Sequence, residues 1–435
     1  MKRFFIETYG CQMNKADSAS ISESLIQNGF IESQNGTDAD IVIINTCSVR
    51  QSAENRIWGR LGYYKNLKTK KKITLLVAGC MAQRLGKEFL TLKKNAVDIF
   101  IGTYFRDRIP GILKNFSGSK RLVFTDEASF SFPQSVPEKE NPQKAYVTIS
   151  YGCNNFCSYC IVPYLRGRER SRNSDDIINE INRLSDNGVV QVTLLGQNVN
   201  SYGKDTGDIS FAKLLEKISH KTDIKWIKYL SSHPKDFTDD LIEVIAGEEK
   251  VSKWIHLAVQ SGSNKILERM NRGYTVEYYL RQIEKFKSKI QKINLTTDII
   301  AGFPGETKKD FNETCNVLKQ VEFNDAFMYK YNPRKGTSAY NEFKDDVSSE
   351  EKQERLTKII ELQHDISRKK RLTIIGDINQ AICEKWSNKE KNEILALTKD
   401  DIMIIFNGEE RDFGKILNLK TIRLKGNTLI GEKVK

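Results

Sequence analysis

The chain has 435 residues, too many for one ordinary domain and enough for two or three units of about 100 to 200 residues each. Apolar residues make up 39% and charged residues 29%, which supports packed cores under a water-facing surface and excludes disordered and collagen-like chains. Lys and Arg number 69 against 56 Asp and Glu, a formal +13 that suits an anionic partner, with nucleic acid first among the candidates.

The longest apolar runs, such as 41–44 and 75–78, are strand-sized, far short of the ~20 residues of a membrane span. The opening MKRFFIETYGC holds too little apolar sequence for a signal peptide, so a cytoplasmic location and no membrane partner are expected. In that reducing setting, eight cysteines point to metal binding or redox chemistry rather than to disulfides.

In residues 1–125, short apolar runs alternate with longer amphipathic stretches, predicting an open parallel α/β domain with strands at 4–8, 41–46, 73–78 and 98–102. A helix is predicted from Asp17, with Ile21, Leu25 and Ile26 on one face and its end near Gly29. Residues 126–144 hold Pro133, Pro137 and Pro142 and are read as a linker. From 145 to 368 the alternation resumes, with apolar runs at 145–149, 189–195, 226–230, 254–259, 293–300 and 326–331. Six such βα units predict a partial (β/α)6 barrel, with one helix capped by Asp175 and carrying Ile177, Ile178, Ile181 and Leu184 as its apolar stripe. Ser348 and Glu351 open a long helix, and from 369 to 435 the period changes to two. Runs at 380–386, 393–398, 402–406, 415–419 and 421–424 predict a small β-barrel. Its last 21 residues hold six Lys or Arg and one Glu, so one side should be electropositive.

The sharpest motif is Cys153-Asn-Asn-Phe-Cys157-Ser-Tyr-Cys160. Three thiolates on one loop can hold three irons of a 4Fe-4S cluster and leave the fourth open to a small ligand, whereas zinc loops use paired ligands that this segment lacks. With Tyr159 before the last cysteine, the loop resembles the signature of the radical S-adenosylmethionine (SAM) superfamily, whose open iron chelates the methionine part of SAM. Cys11, Cys47 and Cys80 each follow a predicted strand, 36 and 33 residues apart. Residues just past the carboxyl ends of neighbouring parallel strands converge, so these three also suit a cluster with one free iron. Cys315 and Cys383 read as packing residues.

Taken with TYGCQMNKADS, INTCSVR, GCMAQR, CNNFCSYCIVPYLRGRERSR, LLGQNVNSYG, QSGSN and TTDIIAGFPGET, the chain resembles the methylthiotransferase family along its whole length, and its MiaB branch most. That resemblance implies a three-cysteine N-terminal domain, a radical SAM core and a C-terminal RNA-binding TRAM barrel. It implies two 4Fe-4S clusters and SAM as cofactors, and conversion of N(6)-isopentenyl-adenosine at position 37, in the tRNA anticodon loop, to its 2-methylthio derivative. The expected partners are tRNA and an unidentified electron donor, and the chain is expected to be a monomer. Sister branches act on threonylcarbamoyl-adenosine or on a ribosomal-protein aspartate, and a non-catalytic iron-sulfur RNA-binding protein is the remaining alternative.

Beside the six cysteines, candidate cofactor contacts are Tyr159, Arg166, Gly196, Gln197, Asn198, Gln260, Ser261 and Asp298, placed in the cluster loop or near the ends of barrel strands. Arg166, Arg168, Arg170 and Arg172 alternate and would share one face if extended, where they could meet phosphates, bases or the SAM carboxylate. Lys415, Lys420, Arg423 and Lys425 are the expected RNA contacts of the β-barrel, and His233 and His256 are expected to be structural. Gly302-Phe-Pro-Gly305 lacks the spacing of a phosphate-binding P-loop.

Overall fold

The fold is that of a computed structural model, which describes residues 1–48, 51–91, 96–118, 120–387 and 392–434. Val49 and Arg50, the end of the INTCSVR motif, lie outside the described residues. The chain divides into two compact units, one of residues 1–136, 146–154 and 160–170, the other of 137–145, 155–159 and 171–435.

The first unit is built on a six-stranded sheet in the order Ile31–Glu32, Arg3–Thr8, Ile41–Thr46, Thr74–Gly79, Ile99–Ile101, Leu122–Phe124. Every pairing is parallel. Alternate residues serve two cores. Val42, Ile44, Leu75, Val77 and Phe100 pack with Ile57, Leu61 and Tyr64. Ile41, Ile43, Leu76, Ala78, Ile99 and Ile101 pack with Ile21, Leu25, Ile109 and Leu113. A sheet covered on both faces explains why its strands read as unbroken apolar runs. The first helix differs from expectation: it spans Gln12–Gln27, and Cys11 is its N-cap residue. Gly29 does close it, at φ +86° with its N–H on Ile26 O.

In the second unit, Gln191–Leu195 pairs in parallel with Trp226–Tyr229, and the N–H groups of Val190 and Gln191 both donate to Gln143 O. Trp254–His256, Asn294–Ala301 and Asp325–Lys330 form a second parallel sheet. Parallel bridges Ile227 to Val251 and Ser232 to Leu257 continue the strand sequence from one sheet to the next. The helix Ser174–Asp186 is capped by Asn173, not by Asp175. The Asn173 side chain accepts from the Asp175 and Asp176 N–H groups, and Asp175 instead adds negative charge to the first turn.

Five strands at the end of the chain close into a barrel: Ile378–Trp386, Glu393–Thr398, Met403–Asn407, Ile416–Lys425 and Thr428–Lys433. Ala381, Cys383, Ile394, Ala396, Ile404, Phe406 and Leu419 fill it. The two strands expected at 415–419 and 421–424 are one strand, bulged between Thr421 and Arg423, and the fifth strand follows a turn at Gly426 (φ +62°). The bulge breaks the period of two, which is why one strand reads as two.

Candidate functional site

In the first unit the register brings three cysteines to one edge. Thr8 lies opposite Asn45 and Thr46 opposite Gly79, so Cys47 and Cys80 each leave the sheet one residue beyond a matched pair. Cys11 comes three residues after Thr8. The strand order reverses between Arg3–Thr8 and Ile41–Thr46, the place where open parallel sheets form their ligand crevice.

Two asparagines hold this edge. Asn14, fully buried, donates to Asn45 Oδ1 (3.2 Å) and Thr46 O (3.1 Å), and its Oδ1 accepts from the Cys11 N–H and thiol, each at 3.3 Å. Asn45 returns a bond to Asn14 O (2.9 Å) and another to Ser18 (2.9 Å). Gly10 is required by close approach, since a Cβ there would lie 2.3 Å from Asn14 Oδ1 and 2.8 Å from Cys47 Cβ. Cys47 and Cys80 are buried and Cys11 is exposed. A hydrogen bond with Cys47, aided by the Arg166 charge, holds the Cys11 thiol down to about 6. Burial pushes Cys80 up, with Arg166 opposing it.

Behind these sulfurs Asp17 accepts from two buried guanidinium groups, Arg106 and Arg166, the latter at 3.3 Å. Arg166 also lies over the Tyr151 ring, 4.7 Å from its centroid. Its Nη1 is buried without a hydrogen-bond partner. None of the eight cysteines is joined in a disulfide. Among the described residues no three Cys, His, Asp or Glu side chains are drawn into a single-ion cage. A cubane cluster spreads its thiolates over separate corners, so strand-end cysteines with a buried cation beside them fit that group better than a lone zinc ion.

The CxxxCxxC loop contributes to both units, and its parts are held separately. Cys153 donates its N–H to Gly167 O (3.2 Å), and Gly152 (φ +82°) leaves no room for a Cβ, which would meet Arg168 O at 2.1 Å. Within the second unit, Arg272 Nη1 donates to the Cys157 sulfur and to Tyr159 OH, each at 3.3 Å, and Nη2 to Ala258 O at 2.9 Å. Ser158 is pinned by Met270 O, Arg269 O and the Ala339 N–H. Tyr159 packs beside Ile266, Met270 and Phe303. Cys157 and Cys153 are buried and Cys160 is partly so. Three thiolates on one loop, one of them already accepting from a buried cation, fit the radical SAM cluster.

The other predicted residues divide by what they touch. Gly196 is buried and Gln197 partly so. Asn198 is used by the fold: it donates to Asp236 (2.7 Å) and accepts from the His233 N–H (3.1 Å). Ser261 is bonded to Thr314 and to the Ser263 N–H. Gln260 has a left-handed backbone (φ +67°) and its Oε1 is buried without a partner. Asn200 and His233 Nε2 are further orphaned polar atoms in the same unit. Burial and the charge of Arg272 push the His233 pKa far down, so the ring stays neutral. Asp298 pairs with His256 Nε2 (3.3 Å), whose Nδ1 meets Thr296 (3.1 Å). Phe327, opposite Asp298 on the next strand, is half exposed.

The four arginines do not share a face. Arg166 ends a short helix, Val162–Arg166, and Gly167 (φ +74°) turns the chain before Arg168. Arg168 is exposed, Arg170 lies over the Tyr104 ring (5.3 Å), and Arg172 is bonded to Glu180. Lys415, Lys420, Arg423 and Lys425 are all exposed. Sequence patterns do not single out Asn14, Arg106 or Arg272, and they give Asp17 and His256 only structural places. Asn14 and Asp17 lie within TYGCQMNKADS, and that is the one available signal.

Residues 3–102 match the Uncharacterized protein family UPF0004, and residues 147–318 match the Radical SAM superfamily. The chain is 43% identical over 99% of its length, and 97% of the relative's, to a tRNA-2-methylthio-N(6)-dimethylallyladenosine synthase of Clostridium botulinum (strain Okra). Proteins of the same name are 42% identical in Treponema denticola, covering 98% of both chains, and 44% identical in Carboxydothermus hydrogenoformans, covering 96% of both. The chain belongs to the tRNA-2-methylthio-N(6)-dimethylallyladenosine synthase family. Among solved structures, the radical SAM methyltransferase TsrM of Kitasatospora setae aligns with TM-score 0.54 at 10% identity, over 78% of this chain and 77% of its own, a likeness of fold alone. Membership makes the chain a radical SAM enzyme of the mixed α/β class. Among the described residues no helix is long and apolar enough to cross a membrane.

Proposed function

We propose that this protein converts N(6)-isopentenyl-adenosine at position 37 of tRNA to its 2-methylthio derivative, with Cys153, Cys157 and Cys160 holding one 4Fe-4S cluster and Cys11, Cys47 and Cys80 a second. The observation that carries the reading is the register that sets Cys11, Cys47 and Cys80 at one sheet edge in a chain that also has the CxxxCxxC loop. Bound SAM and its cluster supply a carbon radical, the reagent needed for an unactivated adenine C2–H bond that acid-base catalysis does not break.

The protein's own residues bind and orient. The Asn14 and Asn45 clasp fixes the backbone that presents Cys11 and Cys47. Arg272 donates to the Cys157 sulfur and ties the cluster loop to the strand end at Ala258. Gln260 Oε1, Asn200 and His233 Nε2 are buried polar atoms in need of partners, and the amino, carboxylate and ribose groups of SAM are chemically matched to them. His256 and Asp298, with Phe327 beside them, suit an adenine edge and face.

The terminal barrel is the TRAM domain in this reading, and its exposed Lys415, Lys420, Arg423 and Lys425 hold the RNA backbone. Arg168 joins them from the cluster segment. The layout is an N-terminal domain to 125, a linker to 144, a radical SAM core to 368 and the barrel beyond, in a cytoplasmic monomer served by a separate electron donor.

The test is an anaerobic reaction of the iron-loaded protein with SAM, a reductant and tRNA carrying either isopentenyl-adenosine or threonylcarbamoyl-adenosine, followed by nucleoside mass spectrometry. Methylthiolation of the first substrate alone is expected. Methylthiolation of the second alone, or of neither with both clusters loaded, refutes the assignment.

A further inference from the structure

Asp17, Arg106 and Arg166 form a buried charge group with an imbalance. Two guanidinium groups share one carboxylate, and all three side chains are at most 8% exposed. A buried positive charge left over requires an anion, because an unpaired ion in a low-dielectric setting is strongly disfavoured. The two cations are not equivalent. Arg106 has a further acceptor in Ser131 O (3.2 Å) and lies over the Phe130 ring. Arg166 has the weaker bond to Asp17, the face of Tyr151 and a hydrogen-bond interaction with the Cys80 sulfur, and its Nη1 donor is without a partner. The groups around Arg166 able to carry negative charge are Cys80, Tyr151, Asp17 and Cys11. Tyr151 meets Arg166 with the face of its ring, and its hydroxyl is itself without a partner. That leaves the sulfurs. The segment Val162–Arg166 is fixed in this position by Ile161 and Leu165, which pack on Cys80, and by the bond from Thr103 Oγ1 to Leu165 O (2.7 Å).

We infer that Arg166 is a positioning residue for the N-terminal cysteine site, its free N–H and surplus charge directed at the anionic sulfur held there by Cys80 and Cys11, with Asp17 as its anchor. The ligand class is thiolate or sulfide sulfur, not the SAM carboxylate first expected for this arginine. A donor and a positive charge beside a cluster stabilise its reduced, more negative state, and a carboxylate does the reverse. Replacing Arg166 and replacing Asp17 should therefore move the reduction potential in opposite directions. Damage to packing alone gives no such pairing of signs.

The inference rests on the reading of Cys11, Cys47 and Cys80 as cluster ligands, and the experiment separates the two. The full chain carrying C153A/C157A/C160A is loaded anaerobically with iron and sulfide and titrated by electron paramagnetic resonance. If that background holds no cluster, the ligand assignment itself fails. With a cluster present, Arg166→Met should disfavour reduction at least tenfold, a midpoint about 59 mV more negative for one electron. Arg166→Lys should shift it less, and Asp17→Asn should shift it positive. Should Arg166→Met not load, the signs for Arg166→Lys and Asp17→Asn decide. Unchanged potentials, or shifts of the same sign for the arginine and aspartate variants, overturn the inference.

Discussion

Asn14 shows how much of the site depends on single polar residues. Its side chain satisfies Cys11, Asn45 and Thr46 at once in a fully buried position, so Asn14→Ala leaves several buried groups unpaired. Such orphaned groups cost about 1 to 3 kcal/mol, and urea unfolding of the iron-free protein should show a loss in that range, together with weaker iron retention. Asp310 gives a pH test away from the cysteines. Burial alone would raise its carboxyl, but bonds from Thr307, Ser263 and Lys265 hold it far below its ordinary 3.8. A carboxyl depressed in the folded state stabilises fully above its unfolded value, and that contribution is lost as pH falls through the folded one. Thermal unfolding between pH 5 and 3 should lose stability more steeply in the wild type than in Asp310→Asn, and equal slopes would contradict the assignment. The shared sheet edge of Cys11, Cys47 and Cys80 was legible in the sequence because each cysteine follows a strand of one parallel sheet. Asn14, Asp17 and Arg272 were not, because a polar side chain announces its partner only after distant segments have met.

At the scale of elements, the parallel sheets were legible because strands covered on both faces become continuous apolar runs. Boundaries were less so. Cys11 as a helix N-cap gives no sequence signal, since cysteine is not among the usual capping residues. The bulge at Thr421 and Arg423 hid the continuity of Ile416–Lys425, and with it the fifth barrel strand. The arginine strip failed for a similar reason: one positive-φ glycine, Gly167, ends the extended geometry that alternation assumes. The bulged strand also carries a prediction. K420E/R423E/K425E reverses three exposed charges without touching the barrel core, so the fold should persist. Its tRNA affinity should fall, and the slope of log affinity against log salt should flatten by about 2, at ~0.7 per lost phosphate contact. An unchanged slope would remove the barrel from the RNA contact.

For the whole molecule, the eight cysteines divide by their surroundings. Six cysteines fall into two groups of three, Cys383 lies in the core of the terminal barrel, and Cys315 is half buried on a helix. Iron analysis of the anaerobically loaded chain should give ~8 iron per protein, falling to ~4 in either C11A/C47A/C80A or C153A/C157A/C160A. A wild type that saturates near ~4 would contradict the two-cluster account. The central claim, that this chain installs the methylthio group on isopentenyl-adenosine, is met most directly by nucleoside mass spectrometry of tRNA from cells lacking the protein. The account predicts that 2-methylthio-N(6)-isopentenyl-adenosine disappears while its unmodified precursor accumulates, and that the wild-type gene restores it. Persistence of the methylthio nucleoside in those cells would contradict it.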